Sequence, residues 1–443
     1  MSYVIGVLII VFGLMVSIAL HEIGHMVPAK KFGVRVPQYM VGFGPTLWSF
    51  TRGETEYGIK AIPLGGYVRL VGMYPPLDES KQVKTGRLRR GFFAEAISGA
   101  RDASNEEVRP GEEHRAFYNL SMGKKIIVMF GGPFMNLVIA FFLMAVVAVG
   151  FGAMTPTTTL ASVSQCVLPA DAPAGATCGP ETPVAPAAAA GLQPGDTITS
   201  WDGTKITDWD QLSELIGQTG GATVAVELMR DGKQILTDLT PVVAQRPVVD
   251  KAGQVVLDPK GDMVLADRGF AGIGPVQELR PQSIAVVPGQ IANQLKSVAK
   301  IIVTLPERLV DISQAAFGTE ARDPNSVVGV VGIGRFAGEL VSADIPGYTN
   351  KLVAADMLSM LAGLNIALFA FNMVPLLPLD GGHIAGALHE GARRRIATLR
   401  GKRDPGPADT ARMVPLAYIV FVFLAGMSLL LIYADIVKPI KIM

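Results

Sequence analysis

The sequence predicts a polytopic α-helical membrane protein. It has four transmembrane helices, a cytoplasmic β-hairpin or small sheet that dips towards the membrane, and an α+β domain outside. Two observations carry this expectation. With 49% hydrophobic residues, 17% charged residues and a mean hydropathy of +0.38, the 443-residue chain is too apolar for an ordinary soluble protein, yet not apolar throughout. Four uncharged runs, at about 3–29, 126–151, 357–376 and 414–434, are each long enough to cross a bilayer. The net charge of +1 and the lack of a basic stripe with interleaved aromatics argue against a nucleic-acid partner.

The first span, 1–29, has neither the basic start nor the small-residue cleavage site of a signal peptide, so it is expected to stay attached. It ends in Ser17-Ile18-Ala19-Leu20-His21-Glu22-Ile23-Gly24-His25, which contains H-E-x-x-H. On a helix, His21 and His25 lie one turn apart on one face, so two imidazoles can share a tetrahedral Zn2+ while Glu22 beside them accepts a proton from water. Ionisable residues at bilayer depth are costly, which makes an incidental occurrence a poor explanation.

The loop 30–125 divides in two. From 39 to 72, short apolar runs broken by Gly53, Pro63 and Gly65-Gly66 read as a hairpin or small sheet with apolar tips. From 78 to 113 the chain is charged, with Lys81, Lys84, Arg87, Arg89 and Arg90 followed by Glu106, Glu107, Glu112 and Glu113, and reads as an insertion without periodicity. The second span is 126–154. Over 160–241, Gly195 and Gly203 suit turns, Gln211 to Ile216 is helix-like, and Val224, Val226 and Leu228 alternate as in a strand.

Cys166 and Cys178 are the only cysteines and fall in this domain, where an oxidising compartment makes them disulfide candidates. The connection 242–350 contains Ile291, Leu295, Val298, Ile302, Leu305 and Leu309, an amphipathic pattern expected to kink at Pro306 and lie on the outer membrane surface. Val327 to Leu340 is a second apolar segment, expected against the membrane or the outer domain.

The third span, 352–384, runs into Asn372-Met373-Val374-Pro375-Leu376-Leu377-Pro378-Leu379-Asp380-Gly381. Its prolines break the helix, and Asp380 offers a carboxylate that can complete two histidines and leave the fourth metal position to water. His383 and His389 are expected to be interfacial, and His114 sits in a polar loop. Lys30, Lys31, Arg35, Lys124 and Lys125 flank the first connection; Arg393, Arg394, Arg395, Arg400, Lys402, Arg403 and Arg412 fill the loop 385–413 before the fourth span, 414–434. The positive-inside rule places both connections in the cytoplasm and both termini outside. Spans one and three then run in one direction, so Asp380 can meet His21 and His25.

These motifs resemble those of bacterial site-2 proteases of the RseP type, intramembrane zinc metalloproteases with embedded PDZ domains. The resemblance extends to Val41-Gly42-Phe43-Gly44-Pro45, to Ile62-Pro63-Leu64-Gly65-Gly66-Tyr67-Val68 and to Gly131-Gly132-Pro133-Phe134-Met135-Asn136, and Ala187 to Asp202 resembles part of a bacterial PDZ domain. It implies zinc on His21, His25 and Asp380, catalysis by Glu22, and substrate contacts near Asn136 and Asn372. It also implies a sheet around Gly65, Gly66 and Tyr67 whose edge meets the substrate. The 78–113 stretch and a single clear PDZ domain depart from some relatives.

The expected protein is thus a zinc endopeptidase of the bacterial inner membrane. Its expected partners are the lipid bilayer and single-pass membrane substrates such as anti-sigma factors or signal-peptide remnants. The alternative is a non-catalytic PDZ scaffold with structural zinc. Glu22 argues against that, because a closed structural site wants a fourth protein ligand and has no use for a base.

Overall fold

The structure is a computed structural model that describes residues 2–76, 92–106, 108–170, 172, 176–180, 182–248, 256, 263–318, 322, 323, 326–343 and 349–440. Lys81, Lys84, Arg87, Arg89, Arg90 and Glu107 of the expected insertion lie outside the described residues. In chain order the N-terminal part holds α1 (Ser2–Lys31), β1 (Gln38–Arg52), β2 (Thr55–Arg69), α2 (Phe92–Glu106) and α3 (Met122–Val146), which continues as a π-helical turn, Val147–Phe151.

There follow β3 (Ala153–Val163), α4 (Pro186–Ala189), β4 (Thr197–Trp201), β5 (Thr204–Lys205), α5 (Trp209–Gln218), β6 (Val224–Arg230), β7 (Lys233–Leu239), β8 (Val242–Pro247), β9 (Leu265–Phe270) and β10 (Ile273–Arg280). The last elements are α6 (Val287–Val303), α7 (Leu305–Phe317), α8 (Val330–Ser342), α9 (Asn350–Asn372), α10 (Asp380–Leu399) and α11 (Val414–Val437). They form two compact units, one of Met1–Phe151 with Ser283–Met443 and one of Gly152–Gln282.

In the first unit, four helical stretches are long and apolar enough to cross a membrane: Ser2–Lys31, Met122–Phe151, Asn350–Asn372 and Thr410–Val437. The protein is an integral membrane protein. The third stretch ends earlier than the expected 384, because Pro375 and Pro378 lack the N–H that would continue the helix, and α10 restarts at Asp380.

The apolar stretch expected on the outer surface packs instead against the spans. Val287 and Ile291 of α6 are buried with Ala140 and Met144 of α3 and with Ala362 and Ile366 of α9. The helix breaks at Thr304 rather than kinking at Pro306, which occupies the first turn of α7, where no donor is needed. The segment around 327–340, expected against the membrane or outer domain, forms α8 on α1. A Cβ at Gly6 would lie 2.2 Å from Ala337 O, so only glycine permits that approach.

The stretch expected to lack periodicity contains α2. Its Arg101 donates to both carboxylate oxygens of Asp409 at 2.5 and 2.6 Å, and Ser104 Oγ accepts from Tyr74 N at 3.0 Å. The two long strands β1 and β2 fold back on themselves: 66–69 pairs with 38–41, 38–41 with 56–59, and 56–59 with 48–51. Residues 66–69 therefore form an outer edge. Phe43, Leu47, Trp48 and Phe50 near the far end of this sheet are exposed.

In the second unit a sheet of order β10-β3-β4-β6-β7, with β5 on β4, stands beside a β8–β9 pair. Val224, Val226 and Leu228 alternate into a core with Leu160, Ile198, Trp201 and Leu212. Asp208 caps α5 by accepting from Gln211 N at 2.9 Å. Asp196 is buried, and the bidentate hydrogen bond from Arg230, at 2.6 and 2.7 Å, holds its carboxyl below the usual range. The boundary expected at 241 moves to 282, because β8, β9 and β10 belong to this unit and β10 pairs with β3. Cys166 and Cys178 are joined as a disulfide, Cα to Cα 5.9 Å.

Asp435 of α11 is buried in the first unit. It accepts from Arg322 Nη1 at 2.9 Å and from the N–H groups of Gly329 and Gly332 at 2.9 and 2.8 Å, which caps the start of α8 from a different helix. Asp435→Ala leaves Arg322 buried without its counter-charge and the α8 N-terminus open. A loss of about 3–5 kcal/mol is expected. Thermal unfolding in detergent checks it, and an unchanged midpoint refutes this role.

Candidate zinc site

His21 and His25 sit on consecutive turns of α1, and their Nε2 atoms are 3.1 Å apart. Asp380 opens α10 and places Oδ2 3.4 Å from each Nε2. Three buried or half-buried ligand atoms thus form a triangle with edges of 3.1, 3.4 and 3.4 Å. A tetrahedral zinc with bonds of about 2.0–2.1 Å separates its ligands by about 3.3–3.4 Å, so the triangle matches one face of that tetrahedron. Asp380 Oδ2 is buried without a hydrogen-bond partner, as a ligand oxygen reserved for a cation would be.

The outer atoms of the rings are held from α3. His25 Nδ1 donates to Val128 O at 2.8 Å, which leaves the lone pair on Nε2. His21 Nδ1 is 3.1 Å from the Asn136 side-chain nitrogen, while Asn136 Oδ1 has no partner. Turning that amide over lets Oδ1 accept from His21 Nδ1–H and satisfies both groups, giving the two histidines the same zinc-binding tautomer. Asn136, expected near the substrate, is fully buried, lies against His21 and is also on the wall of the cavity that opens onto the triangle.

Glycine makes the helix crossing possible. A Cβ at Gly24 would lie 2.2 Å from Gly131 O, and one at Gly131 would lie 2.0 Å from Gly24 O. A Cβ at Gly132 would strike His25 Nε2 at 2.2 Å, the atom required for the metal. Sequence reasoning gave these glycines no role, although the Gly131-Gly132 pair inside an apolar run was the available signal. It also missed Asn365, which is fully buried and donates to Ser17 Oγ at 2.9 Å, tying α9 to α1 one turn before His21. The signal there was polar residues inside uncharged runs.

A cavity of about 470 Å³ opens onto the triangle. Glu22, Gly65, Gly66, Tyr67, Asn372 and His383 lie on its wall. A Cβ at Gly66 would lie 3.3 Å from Glu22 Cγ, so β2 runs beside Glu22. His383, expected at the interface, is on the cavity wall; His389 is remote from it and exposed. Among the described residues, the three-residue metal cluster is His21, His25 and Asp380.

Residues 9–404 match the family described as peptidase family M50. The chain belongs to peptidase family M50. It is 32% identical over 450 residues to zinc metalloprotease Rip1 of Mycobacterium tuberculosis, and 34% identical over 455 residues to Rip1 of Mycolicibacterium smegmatis, covering 100% of both chains in each case. To metalloprotease MmpA of Caulobacter vibrioides it is 24% identical over 407 residues, 89% of this chain and 88% of that one. This M50 member is a zinc metalloprotease, and the donor triangle fits the metal.

In this M50 enzyme the three donor residues and Glu22 line one cavity. Asp380→Ala is expected to lose zinc and activity, because two imidazoles alone hold the ion weakly. Gly132→Ala should weaken zinc binding by about 10–100-fold through displacement of His25. Metal analysis of the purified variants reads both effects. Full zinc in Asp380→Ala moves the third ligand elsewhere, with His383 the nearest alternative on the wall.

Proposed function

We propose that this zinc metalloprotease cuts single-pass membrane proteins within or beside their membrane helix, near the cytoplasmic face. The observation that carries this reading is the position of the donor triangle. His21, His25 and Glu22 lie on α1, a helix with the length and apolarity of a membrane span, and the outer strand of the β1–β2 sheet borders the same cavity. Resemblance to site-2 proteases supports anti-sigma factors and signal-peptide remnants as substrates.

His21, His25 and Asp380 would hold the ion, which when bound would supply a Lewis acid for the scissile carbonyl and lower the pKa of a water towards about 7. Glu22 accepts the proton of the attacking water on its carboxylate and returns it to the leaving amine. The outer edge of β2 offers backbone N–H and C=O groups to an extended substrate, as in strand addition, and so holds unwound a segment that would otherwise be helical. Asn372, at the end of α9, is placed to hydrogen-bond that segment. The exposed Phe43, Leu47, Trp48 and Phe50 support contact of the sheet with lipid, and the basic loops support cytoplasmic connections with both termini outside.

Glu22→Gln should keep zinc and fold while cleavage falls by about 10²–10⁴-fold, since the change removes a base and leaves the ligands. Incubation of the purified protein with a panel of single-pass substrates, with and without a chelator, reads this. Cleavage by Glu22→Gln near the wild-type rate sinks the mechanism, and chelator-resistant cleavage sinks the metal's role.

The 152–282 unit, read as PDZ-like, serves as a size filter that rejects substrates still carrying folded outer domains. A stable variant lacking it should then cut full-length and shortened substrates alike. Continued rejection of full-length substrates rules out the filter, and slower cutting of shortened ones favours docking in a groove instead.

A further inference from the structure

The edge of β2 continues past the zinc cavity. Residues 66–69 pair with 38–41 of β1 on one side, and in a strand the N–H and C=O of one residue share a side, so every second residue of this stretch turns its backbone groups outward. A peptide added to this edge therefore follows β2 from Gly66 towards Leu70. Along that line lies a second cavity of about 480 Å³. It shares Tyr67, Val68, Leu70 and Met73 with the first, so the same stretch of chain walls both.

The opposite wall of this cleft is α2. It contributes Ala100, Ala103 and Ser104. The helix is fixed in place, because Arg101 is bound bidentately to Asp409 and Ser104 is bound to Tyr74. The space between α2 and the strand is kept open by the small side chains of Ala100 and Ala103. Among the described residues, no strand pairs with the outer side of residues 66–68.

We propose that the cleft between β2 and α2 is a substrate subsite that receives the extended stretch flanking the scissile bond, with Ala100 and Ala103 limiting the size of the side chain that enters. This rests on the reading of the protein as a peptidase of single-pass substrates. The occupant is a peptide in β conformation rather than a helix, because one wall is the outer edge of a sheet, whose donors and acceptors match an extended chain. Alternate residues of the peptide then face α2, two apart in sequence.

Both cysteines of the chain are consumed in the Cys166–Cys178 disulfide, so an introduced thiol is unique. The test uses full-length protein carrying Glu22→Gln, to hold substrate uncut, together with Ala103→Cys or, as a control in the zinc cavity, Tyr67→Cys. The probe is a single-pass protein that the wild-type chain cleaves, with single cysteines at successive positions and a short bis-maleimide. Crosslinks from Ala103→Cys are expected at every second position on one flank of the scissile bond, and those from Tyr67→Cys nearer the bond.

In a Glu22-containing background, Ala103→Trp should slow cleavage about tenfold more for substrates with Phe or Leu at the crosslinked positions than for those with Gly or Ala, at unchanged zinc content. Crosslinks from Tyr67→Cys with none from Ala103→Cys overturn the subsite and leave the peptidase reading standing, as does an Ala103→Trp variant that slows both substrate classes equally. A lack of crosslinks at both sites overturns the subsite, and failure of the wild-type chain to cleave any single-pass protein removes the proposed substrate class with it.

Discussion

The zinc site depends on how closely α1 and α3 cross. Without side chains at Gly24, Gly131 and Gly132, the two backbones come within the reach of a single Cβ, and this approach brings Val128 O and Asn136 against the outer nitrogens of His25 and His21. The ligands are therefore oriented by a neighbouring helix rather than by their own. A wider crossing would free both imidazoles to rotate, and the 3.1 Å separation of their inner nitrogens would have no reason to persist. Placement of a metal site on rigid, packed helices is what allows three donors to stay in a triangle that only a cation satisfies.

The same bundle buries other polar groups, and each has a partner. Lys125 on α3 donates to Glu390 on α10 at 2.7 Å, with both side chains almost fully buried, and the same carboxylate oxygen accepts from Ala408 N at 3.0 Å. Removal of Glu390 would strand Lys125 at a cost of about 3–5 kcal/mol, whereas Glu390 without Lys125 keeps Arg394 at 3.1 Å, so the pair fixes α10 against α3 even if it adds little net stability. Asp380 stands at the head of that helix. Asn365 with Ser17 acts in the same way between α9 and α1. These pairs specify which faces of apolar helices meet, a choice that Leu and Val against lipid leave open.

Much of the site was legible because its chemistry is local. His21, Glu22 and His25 share a helix turn, and a carboxylate after the proline-broken third span was the natural complement. The spans were legible because length and lack of charge are sufficient signals. The glycine crossing and the role of Asn136 were not, since they exist only when two distant segments are adjacent. The amphipathic stretch containing Ile291 misled because its apolar face satisfies a membrane surface and a helix bundle equally, and periodicity does not name the partner. The charge-rich segment that yields α2 misled for the converse reason. Arg101 reads as a solvated charge until Asp409, remote in sequence, is beside it.

The position of the β2 edge follows from what a protease must do to a helix. In a helical substrate each interior carbonyl accepts a hydrogen bond from four residues on, and the chain winds around its own scissile bonds. In lipid no water replaces those bonds once they break. In the proposed reading, the outer strand at the wall of the cavity would supply the missing donors and acceptors at the point of unwinding, so the peptide would exchange one set of hydrogen bonds for another. A Cβ at Gly66 would lie 3.3 Å from Glu22 Cγ, so that exchange would take place beside Glu22. A base and a zinc triangle without such an edge would face only intact helices. An edge without the triangle would hold a strand and leave it whole.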